Sequence, residues 1–212
     1  MLATAIALSL LATGAQAAGK VDLQKRDVGQ LKQQYQARVA TTGIARMAHA
    51  RHAQFMGADA NTTLLMRAHR EDHGVNNYRY DQAYRGIPVF GENLVVSEDG
   101  AGNVRTMFGN LVSGLDHDIA STTPRMTKAQ ALVAGKRAGL GNTLAAMTTR
   151  NEKSDLVIFV DDNGRGHLAY HVDFVADSAT GRPSRPNLII DANSGAVLKQ
   201  WDNLQHALVG TG

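Results

Sequence analysis

The residues that come nearest to a catalytic or metal-binding set are His69 and His73, four positions apart with carboxylates between them. Two such histidines hold zinc in peptidases when they share a helix face and a Glu directly follows the first, as in His-Glu-x-x-His. Here Arg70 follows the first histidine, and Gly74 ends the segment beside a predicted strand. We therefore expect a solvated turn at this place rather than a metal site.

Other spacings with chemical meaning are also incomplete. His49 and His52 lie three positions apart on a weakly amphipathic helix, and an exposed helix face is the expectation. The run Asp161-Asp162-Asn163-Gly164 resembles the start of a calcium loop, but no Glu follows at the twelfth position, so it predicts a hairpin turn. Gly135-Lys136 lacks the upstream glycine of a phosphate-binding loop. No segment of the sequence forms a complete catalytic set.

The composition excludes several classes of protein. The 212 residues include no cysteine, so disulfide frameworks, thiolate zinc sites and thiol nucleophiles are ruled out. The net charge is only +3 and the basic residues are scattered, whereas nucleic-acid binding usually needs a concentrated basic face. Aromatic residues make up 5% of the chain and glycines number 21, which favours a turn-rich β architecture over a helical bundle.

The N-terminus has the pattern of a secretory leader. Residues 2–12 are mostly apolar, and Ala15-Gln16-Ala17 follows as a cleavage pattern. The apolar run is shorter than the roughly 20 residues that a membrane span needs. We therefore assign residues 1–18 to a signal peptide that is cut after Ala17 or Ala18, with a buried N-terminal helix as the alternative. The remaining chain is expected to be secreted, extracellular or periplasmic, with no membrane or nucleic-acid partner.

The first half of the remaining chain is predicted to be helices followed by a meander of strands. In residues 19–60, apolar residues recur at helical spacing from Asp22 to Phe55, and Thr41-Thr42-Gly43 divides the pattern into two helices. In residues 61–118 the spacing changes to strand-like alternation, and Pro88 predicts a bend or a sheet edge. The predicted strands start at Thr62, Asn77, Val89 and Val104.

The second half is predicted to be one helix followed by strands. A polar linker covers Asp116 to Arg125, and a capping box of Thr127 and Gln130 then starts a helix. The apolar side of this helix is assigned to Ala129, Leu132 and Val133. Helix followed by antiparallel strands indicates an α+β unit. The four predicted strands are Asp155–Val160, His167–Val175, Arg185–Asp191 and Ala196–Asp202.

The segment from Asn77 to Gly91 resembles the signature of the FTP domain, the fungalysin/thermolysin propeptide module. That signature runs His-x-Arg-x-x-Gln-x-Tyr-x-Gly-Val-Pro-Val-x-Gly. Asn77 stands where His is usual, and Ile87 replaces Val. We assign residues 61–118 to this domain and expect its motif residues to shape the fold rather than perform chemistry. The matching positions are Arg79, Gln82, Tyr84, Gly86, Pro88, Val89 and Gly91.

Residues 122–202 resemble a PepSY domain. The matching stretches are 168–172 and 189–198, and the hallmark is an Asp-Ala-x-x-Gly turn followed by an apolar pair. The predicted architecture is therefore α+β, with two small antiparallel-sheet modules after a helical N-terminal segment. The first is an FTP-like meander and the second is a PepSY/cystatin-like helix plus sheet. The PepSY motif residues are Tyr170, Asp191, Ala192 and Gly195.

The tail 203–212 resembles the junction between propeptide and protease in thermolysin-like zinc metalloproteases of the pseudolysin and vibriolysin branch. Carried over, the scissile bond joins His206 and Ala207; the alternative is the bond between Ala207 and Leu208. The resemblance implies a propeptide that acts in cis on a cognate protease domain as intramolecular chaperone and inhibitor. Zinc and calcium would belong to that domain, with no cofactor in this chain, and the chain is expected to continue past Gly212.

Two rival functions are weighed against this one. In the first, the chain is a complete secreted FTP/PepSY protein that inhibits or chaperones a protease in trans. In the second, it is an independent hydrolase, which the lack of a catalytic set disfavours. A purely structural envelope protein would leave the junction at His206 unexplained. The chain itself carries no His-Glu-x-x-His, so the sequence predicts that it is not an enzyme.

Overall fold

A computed structural model describes residues 18–177 and 183–204 of the chain. None of the helices in this part is long and apolar enough to cross a membrane. The helices are α1 Val28–Thr42, α2 Ala48–Met56, α3 Leu115–Asp118 and α4 Lys128–Leu140. The strands are β1 Gly19–Asp22, β2 Thr62–Asp72, β3 Val75–Tyr84, β4 Ile87–Asp99, β5 Val104–Phe108, β6 Asn110–Ser113, β7 Thr148–Val160, β8 Gly166–Asp177, β9 Pro186–Asp191 and β10 Val197–Asp202.

Strands from both halves of the chain join in one sheet. Its order is β10-β9-β8-β7-β4-β3-β2, and β5 pairs with another stretch of β4. Neighbouring strands are antiparallel except β4 and β7, which run parallel and meet at Val89 and Ile158. Strands β1 and β6 form a separate two-stranded sheet. The α+β class is confirmed, but the two predicted sheets are one continuous sheet with a parallel joint.

Helices α1 and α2 cover one face of the first half of the sheet. Leu31 of α1 and Phe55 of α2 are buried together with Leu64, Tyr80 and Leu94 of the strands. Burying a Leu or Phe side chain stabilises a fold by about 1.5–3 kcal/mol. The N-terminal segment and the meander therefore share one core.

The helical pattern begins later than the sequence predicts, although its predicted break after α1 is confirmed. Asp22 ends β1, and its carboxylate caps a short 3-10 turn by accepting the Gln24 N–H at 3.0 Å. Helix α1 begins only at Val28, where the carboxylate of Asp27 accepts the Gln30 N–H at 2.6 Å. Each cap satisfies a donor that a helix start leaves free. The predicted helical start at Asp22 is therefore wrong, because that residue pairs with Asn110 of β6.

The predicted meander is confirmed with one break. The strands expected from Thr62, Asn77 and Val89 correspond to β2, β3 and β4. The strand expected from 104 to 112 is divided into β5 and β6 at Gly109. A Cβ at Gly109 would collide with the carbonyl oxygen of Asn93, because the chain crosses the backbone of β4 at this point.

Helix α4 covers one face of the second half of the sheet. Its capping box is confirmed: Thr127 Oγ1 accepts the Gln130 N–H at 3.2 Å, and Gln130 Oε1 accepts the Thr127 N–H at 2.8 Å. The box satisfies two donors of the first turn reciprocally. The hairpin turn predicted at 161–164 and the turn predicted at 191–195 are also present.

The buried side of α4 differs from the predicted one. Val133 is 55% exposed, whereas Ala131 and Gly135 are buried against the sheet. A Cβ at Gly135 would lie 2.8 Å from Val172 Cγ1, so the helix approaches the sheet at the distance that a glycine permits. The prediction was wrong for Ala129 and Val133, which are exposed, and right for Leu132, which packs against the buried core.

The segment predicted as a polar linker, Asp116–Arg125, is fixed to the body of the protein. Leu115, the first residue of α3, and Ile119, which follows its last residue, are buried in the core of the second half. The backbone N–H of Arg125 donates to the carbonyl of Ala192 at 3.1 Å. The segment connects the two halves, as predicted, and it is also packed and hydrogen-bonded against them.

Gly135→Ala should destabilise the protein by about 1–3 kcal/mol, because the added methyl group overpacks the contact with Val172. The better helix propensity of Ala, worth about 1 kcal/mol, opposes only part of that cost. The control is Val133→Ala on the same helix, which should change the free energy of unfolding by less than about 0.5 kcal/mol. Urea denaturation measures both. A stabilised Gly135→Ala variant would show that α4 does not pack this closely.

Candidate functional site

Tyr84 of the FTP-like motif joins β3 to the segment between the two halves. Its ring is fully buried, and its hydroxyl donates to Asp116 Oδ1 at 2.7 Å. The same carboxylate oxygen accepts from Asn61 Nδ2 at 2.7 Å and from Arg85 Nη2 at 2.8 Å. Three donors on one carboxylate oxygen fix the segment that the sequence analysis assigned to a linker.

The electrostatics of this contact favour a neutral tyrosine and an ionised aspartate. Burial, the hydrogen bond to Asp116 and the charge of Asp116 raise the pKa of Tyr84 to about 12. The hydrogen bond from Tyr84 is the largest cause that lowers the pKa of Asp116, and the contacts with Asn61 and Arg85 act in the same direction. Tyr84 therefore stays a hydrogen-bond donor at neutral pH, which suits a structural role and not a catalytic one.

Gln82 of the same motif replaces a missing strand partner. Its fully buried amide donates from Nε2 to the Val112 carbonyl at 2.6 Å and accepts the Val112 N–H at Oε1 at 2.8 Å. Both backbone groups of one β6 residue are thus satisfied by a side chain of β3. A buried backbone group left unpaired would cost about 1–3 kcal/mol.

The glycines of the motif shape β4 where the two halves meet. Arg85 and Gly86 form the two-residue hairpin between β3 and β4, with φ angles of 46° and 81°, as in a type I′ turn. Beyond this hairpin the β3–β4 register shifts, and Gly91 has φ 79°. The shifted stretch of β4 includes Val89, the residue that pairs with β7. Pro88 lies beside this bulge, so its predicted bend is present, but β4 is a central strand and not an edge.

Arg79 has an exposed side chain, and the motif residues Gly86, in the turn, and Pro88 and Gly91, in β4, are also exposed. It lies on β3 and lines a shallow surface depression with Arg70 and Asn77. Asn77, which stands where the motif usually has His, accepts a hydrogen bond from Ser97 Oγ at 2.6 Å. This geometry places no nucleophile or acid–base pair around Arg79.

The PepSY-like motif residues hold the start of α4 against the sheet. The buried ring of Tyr170 carries a hydroxyl that donates to the Met126 carbonyl at 2.9 Å. Ala192 is fully buried, and its carbonyl accepts the Met126 N–H at 2.9 Å while its N–H donates to the Leu168 carbonyl at 2.9 Å. The motif thus connects the helix start, the β9–β10 turn and β8.

Asp191 organises the turn between β9 and β10. Its Oδ1 accepts the Ser194 N–H at 2.7 Å and the Asn193 N–H at 3.0 Å. Burial works against ionisation, but the hydrogen bonds from Ser194 and Asn193 and the nearby His167 outweigh it and lower the pKa of Asp191. Gly195 completes the turn with φ 77°. These contacts again serve the fold.

His52 is a buried residue that the sequence analysis placed on an exposed face, and that prediction is wrong. Its Nε2 lies 2.7 Å from Glu98 Oε1 and its Nδ1 lies 2.7 Å from Tyr80 Oη. Arg51 Nη2 also donates to Glu98 Oε1, at 2.6 Å. The spacing of His52 to Phe55 places both on the buried face of α2, and this periodicity is the signal that could have found it.

The other histidines of the opening pattern do not form a metal site. His73 is at the exposed tip of the β2–β3 hairpin, and His69 stacks on the Tyr78 ring with centroids 4.4 Å apart. Across residues 18–177 and 183–204 no group of three or more His, Asp or Glu side chains is arranged to hold a metal ion. The expectation of a solvated turn at His73 is confirmed.

The sheet face opposite α4 carries aromatic side chains. Trp201 of β10 stacks on His171 with centroids 5.8 Å apart and an interplanar angle of 1°, and Phe90 lies 4.7 Å from the same imidazole. These rings and Leu198 border the buried residues Val157, Phe159, Ala169 and Ile189. We call the surface formed by Phe90, His171, Leu198 and Trp201 the aromatic face. In the described parts of the chain no helix packs on it.

The predicted processing residues His206 and Ala207 lie outside the described residues. The described chain approaches them from β10, which is at the end of the strand order. After this strand the Asn203 N–H donates to the Arg185 carbonyl at 3.0 Å, and the Leu204 N–H donates to Asp202 Oδ1 at 2.7 Å. The chain is therefore held to the sheet up to two residues before the predicted junction.

Part of the chain matches a known family model. Residues 64–111 match the model of the fungalysin/thermolysin propeptide motif. This range includes Gln82, Tyr84 and the β3–β4 hairpin, whose contacts are described above. The matched motif is a propeptide motif, and a propeptide is not the catalytic part of a protease precursor.

The individual relatives are metalloproteases. The chain is 37% identical over 145 residues to the virulence metalloprotease of Vibrio anguillarum and 36% identical over 143 residues to the neutral protease of Vibrio proteolyticus. Each match covers 66% of this chain and 23% of the relative, so the chain spans about a quarter of the length of these curated relatives. A zinc metalloproteinase of Legionella pneumophila is 26% identical over 211 residues, 96% of this chain and 36% of the relative.

The homology to these thermolysin-type metalloproteases thus extends over about two thirds of the chain. Among solved structures, the C-terminal domain of Bacillus megaterium YpeB aligns with 86% of this chain and 67% of its own at a TM-score of 0.30 and 14% identity. That likeness is too weak to support any argument about function.

Acid should destabilise the protein through His52. Burial is the main cause that lowers the pKa of this imidazole, with Arg51 acting in the same direction and Glu98 against it. Because an unfolded His titrates near 6.5, the unfolded chain binds the proton first as the pH falls. Stability is therefore lost below about pH 6.5, by at most about 1.4 kcal/mol per pH unit.

His52→Gln removes this titration while its amide retains a donor for Glu98 and an acceptor for Tyr80. Urea denaturation at about pH 7.5 and about pH 5.5 should give a smaller stability difference for this variant than for the parent protein. The matched control is His73→Gln, whose side chain is exposed, and it should keep the pH dependence of the parent. Equal pH dependence in all three proteins would contradict the assignment.

Proposed function

We propose that the chain is the propeptide of a secreted thermolysin-like metalloprotease, acting in cis as chaperone and inhibitor of its protease domain. The match of residues 64–111 to a propeptide motif carries the proposal. The structure is consistent with the proposal, since the motif side chains Gln82 and Tyr84 form hydrogen bonds that hold neighbouring segments together. A framework of this kind presents a surface and performs no chemistry of its own.

The finer assignment follows the motif contacts. We propose an FTP domain over residues 61–118 and a PepSY domain over residues 122–202, after a pro-segment over residues 19–60. The contacts of Tyr170 and Ala192 support the PepSY assignment, because these motif residues tie the helix start to the turn. Strand β4 pairs with strands of both proposed domains, so one sheet runs through them.

The aromatic face is the surface we assign to contact with the protease domain. It is formed by rings at the sheet end from which β10 leads toward the junction. Large aromatic side chains dominate the energetics of protein interfaces. A folding protease domain tethered at this end would meet the face first, and binding there would stabilise a folding transition state. Such help matters for proteases, whose stability is often kinetic.

Inhibition follows from the tether. A short linker holds the two partners at an effective concentration of roughly millimolar. With an intrinsic dissociation constant of about 1 μM, the ratio of about 1,000 corresponds to about 4 kcal/mol in favour of the bound form. Cleavage at the junction removes the tether, and the inhibition then depends on dilution. In this proposal zinc and calcium belong to the protease domain, and residues 1–18 act as the export leader.

The test is a refolding experiment in trans. Residues 18–206 are added to a denatured thermolysin-like protease domain from the same source, and proteolysis is assayed before and after the added chain is digested. We expect activity to be recovered only with the added chain and to be masked until that chain is removed. If the added chain causes neither refolding nor inhibition at micromolar concentration, the propeptide function is excluded.

Two variants in the same assay test the aromatic face. Trp201→Ala should weaken inhibition about 30-fold or more, the effect of losing a central aromatic contact worth about 2 kcal/mol. Val133→Ala, on the opposite side of the sheet, should inhibit like the parent chain. Circular dichroism confirms that both variants are folded. Equal inhibition by all three chains would place the contact elsewhere while leaving the propeptide function intact.

N-terminal sequencing of the matured protease identifies the scissile bond. We expect the mature domain to begin at Ala207, because the junction resembles those cut between His and Ala. A start at Leu208 would show that a bulky apolar residue after the cut governs the choice. Replacing His206 by Ala should slow release in the first case and leave it unchanged in the second, with the fraction of uncut precursor on a gel as the measurement.

A further inference from the structure

Ala18 is the first described residue, and it is part of the core. Its relative exposure is 4%, and it packs in the same buried cluster as Val112 and Leu115. Its backbone nitrogen lies 3.3 Å from Asp118 Oδ2. The next residues, Gly19–Asp22, form β1 and pair with β6. Ala18 is therefore packed in the core and hydrogen-bonded to it through its backbone.

Asp118 is held in place independently of Ala18. Its Oδ2 accepts the Gly166 N–H, at the start of β8, at 2.7 Å. The packing around Gly166 is close, since a Cβ there would lie 2.8 Å from Leu115 Cδ2 and 3.5 Å from Asp118 Cβ. The carboxylate thus stands at a fixed position between the start of the chain's first strand and the second half of the sheet.

We infer that Asp118 is a binding site for the chain's own processed N-terminus: the leader is cut after Ala17, and the α-ammonium group released at Ala18 forms an ion pair with the Asp118 carboxylate. The inference rests on the proposed leader cleavage, but not on the chaperone or inhibitor function. It also decides between the two possible cuts, because cleavage after Ala18 would remove the residue that fills this buried place.

Cleavage would change the chemistry of this contact. A leader-cutting peptidase adds water across the Ala17–Ala18 peptide bond, so that the carbonyl carbon gains the hydroxyl and the nitrogen gains the proton. The nitrogen that donated to Asp118 as a neutral amide then becomes an ammonium group at neutral pH. Charge-assisted hydrogen bonds are roughly twice as strong as neutral ones. Leader removal therefore strengthens the contact between β1, α3 and β8.

Other charged groups near this carboxylate belong to the same surface cleft of about 580 Å³. Arg125, Arg165, His167 and Asp191 line it together with Asp118. On α3 itself, Asp116 is engaged by Tyr84, and His117 is exposed. The basic residues of the cleft are the same in both forms of the N-terminus. A comparison of free and blocked N-termini therefore isolates the ammonium group.

The experiment compares the chain from Ala18 to Gly212 with a free amine and with an acetylated amine, which reproduces the neutral amide of the precursor. At about pH 7 we expect acetylation to lower the folding equilibrium constant about fivefold. The α-amino group of an unfolded chain has a pKa near 7.7–8.0. We expect the ion pair to raise this pKa in the folded chain. The advantage of the free amine should therefore be complete below that range and disappear as the pH rises above it.

Asp118→Asn provides the second arm, because its amide oxygen still accepts from Gly166 while the charge is gone. Acetylation should have no effect in this variant. The matched control, Asp162→Asn in the exposed β7–β8 turn, should keep the full effect of acetylation. An equal effect of acetylation with Asp and with Asn at position 118 would overturn the ion pair, even if both proteins still refold the protease.

Mass spectrometry of the full chain exported from a bacterial host gives an independent readout. We expect the mature product to begin at Ala18. A product that begins at Gly19 would overturn the inference directly. A product that retains the leader would contradict the leader assignment but leave the refolding activity of the purified chain open to its own test, so the two failures are distinguishable.

Discussion

The pairing of β4 with β7 is the constraint on which the rest of the molecule depends. A single parallel contact, between Val89 and Ile158, joins four strands of the second half to the meander of the first. It is possible only because β4 leaves the register of β3 after the Arg85-Gly86 hairpin. The short run of Gly, Pro and Gly in the motif is thus the local cause of a long-range arrangement.

Polar side chains of β3 and its hairpin hold the segment after β5 in place beside this joint. The Gln82 amide completes the pairing that β6 lacks, and the Asp116 carboxylate gathers three donors between the two halves. Buried hydrogen bonds of this kind contribute modestly when made but are costly when one partner is removed. They therefore fix Val112 and Asp116 beside β3, and Asp118, which accepts the Gly166 N–H at 2.7 Å, connects the same segment to β8 of the second half.

Much of the local structure could be predicted from the sequence. The strands, the capping box at Thr127 and the turn at Asp161 follow from alternation, spacing and turn chemistry, which are local signals. The parallel joint could not be predicted, because pairing between distant strands leaves no periodic trace. The polar residues of the linker before Arg125 gave no sign that Asp116 and Asp118 are hydrogen-bonded inward. The pattern of α4 placed Leu132 correctly, but it could not show that the small residues Ala131 and Gly135, rather than Ala129 and Val133, are buried against the sheet.

The candidate site could also be predicted only in part from the sequence. The motif identified Gln82 and Tyr84 by type, but only the structure shows which groups they satisfy. His52 was expected on an exposed helix face because its neighbours in the sequence are polar, although its spacing to Phe55 matches the buried face. The aromatic face combines residues from three distant strands, and no sequence window contains them together.

Strand β10 has a neighbour on one side only within the described residues. An open strand edge beside apolar rings is a place where other chains attach or proteases cut. While a partner covers the region, this hazard is hidden. In the proposed function a protease domain covers this region until it is released, and we expect the open edge to shorten the lifetime of the released chain. Disposal of the released piece would then need no additional signal.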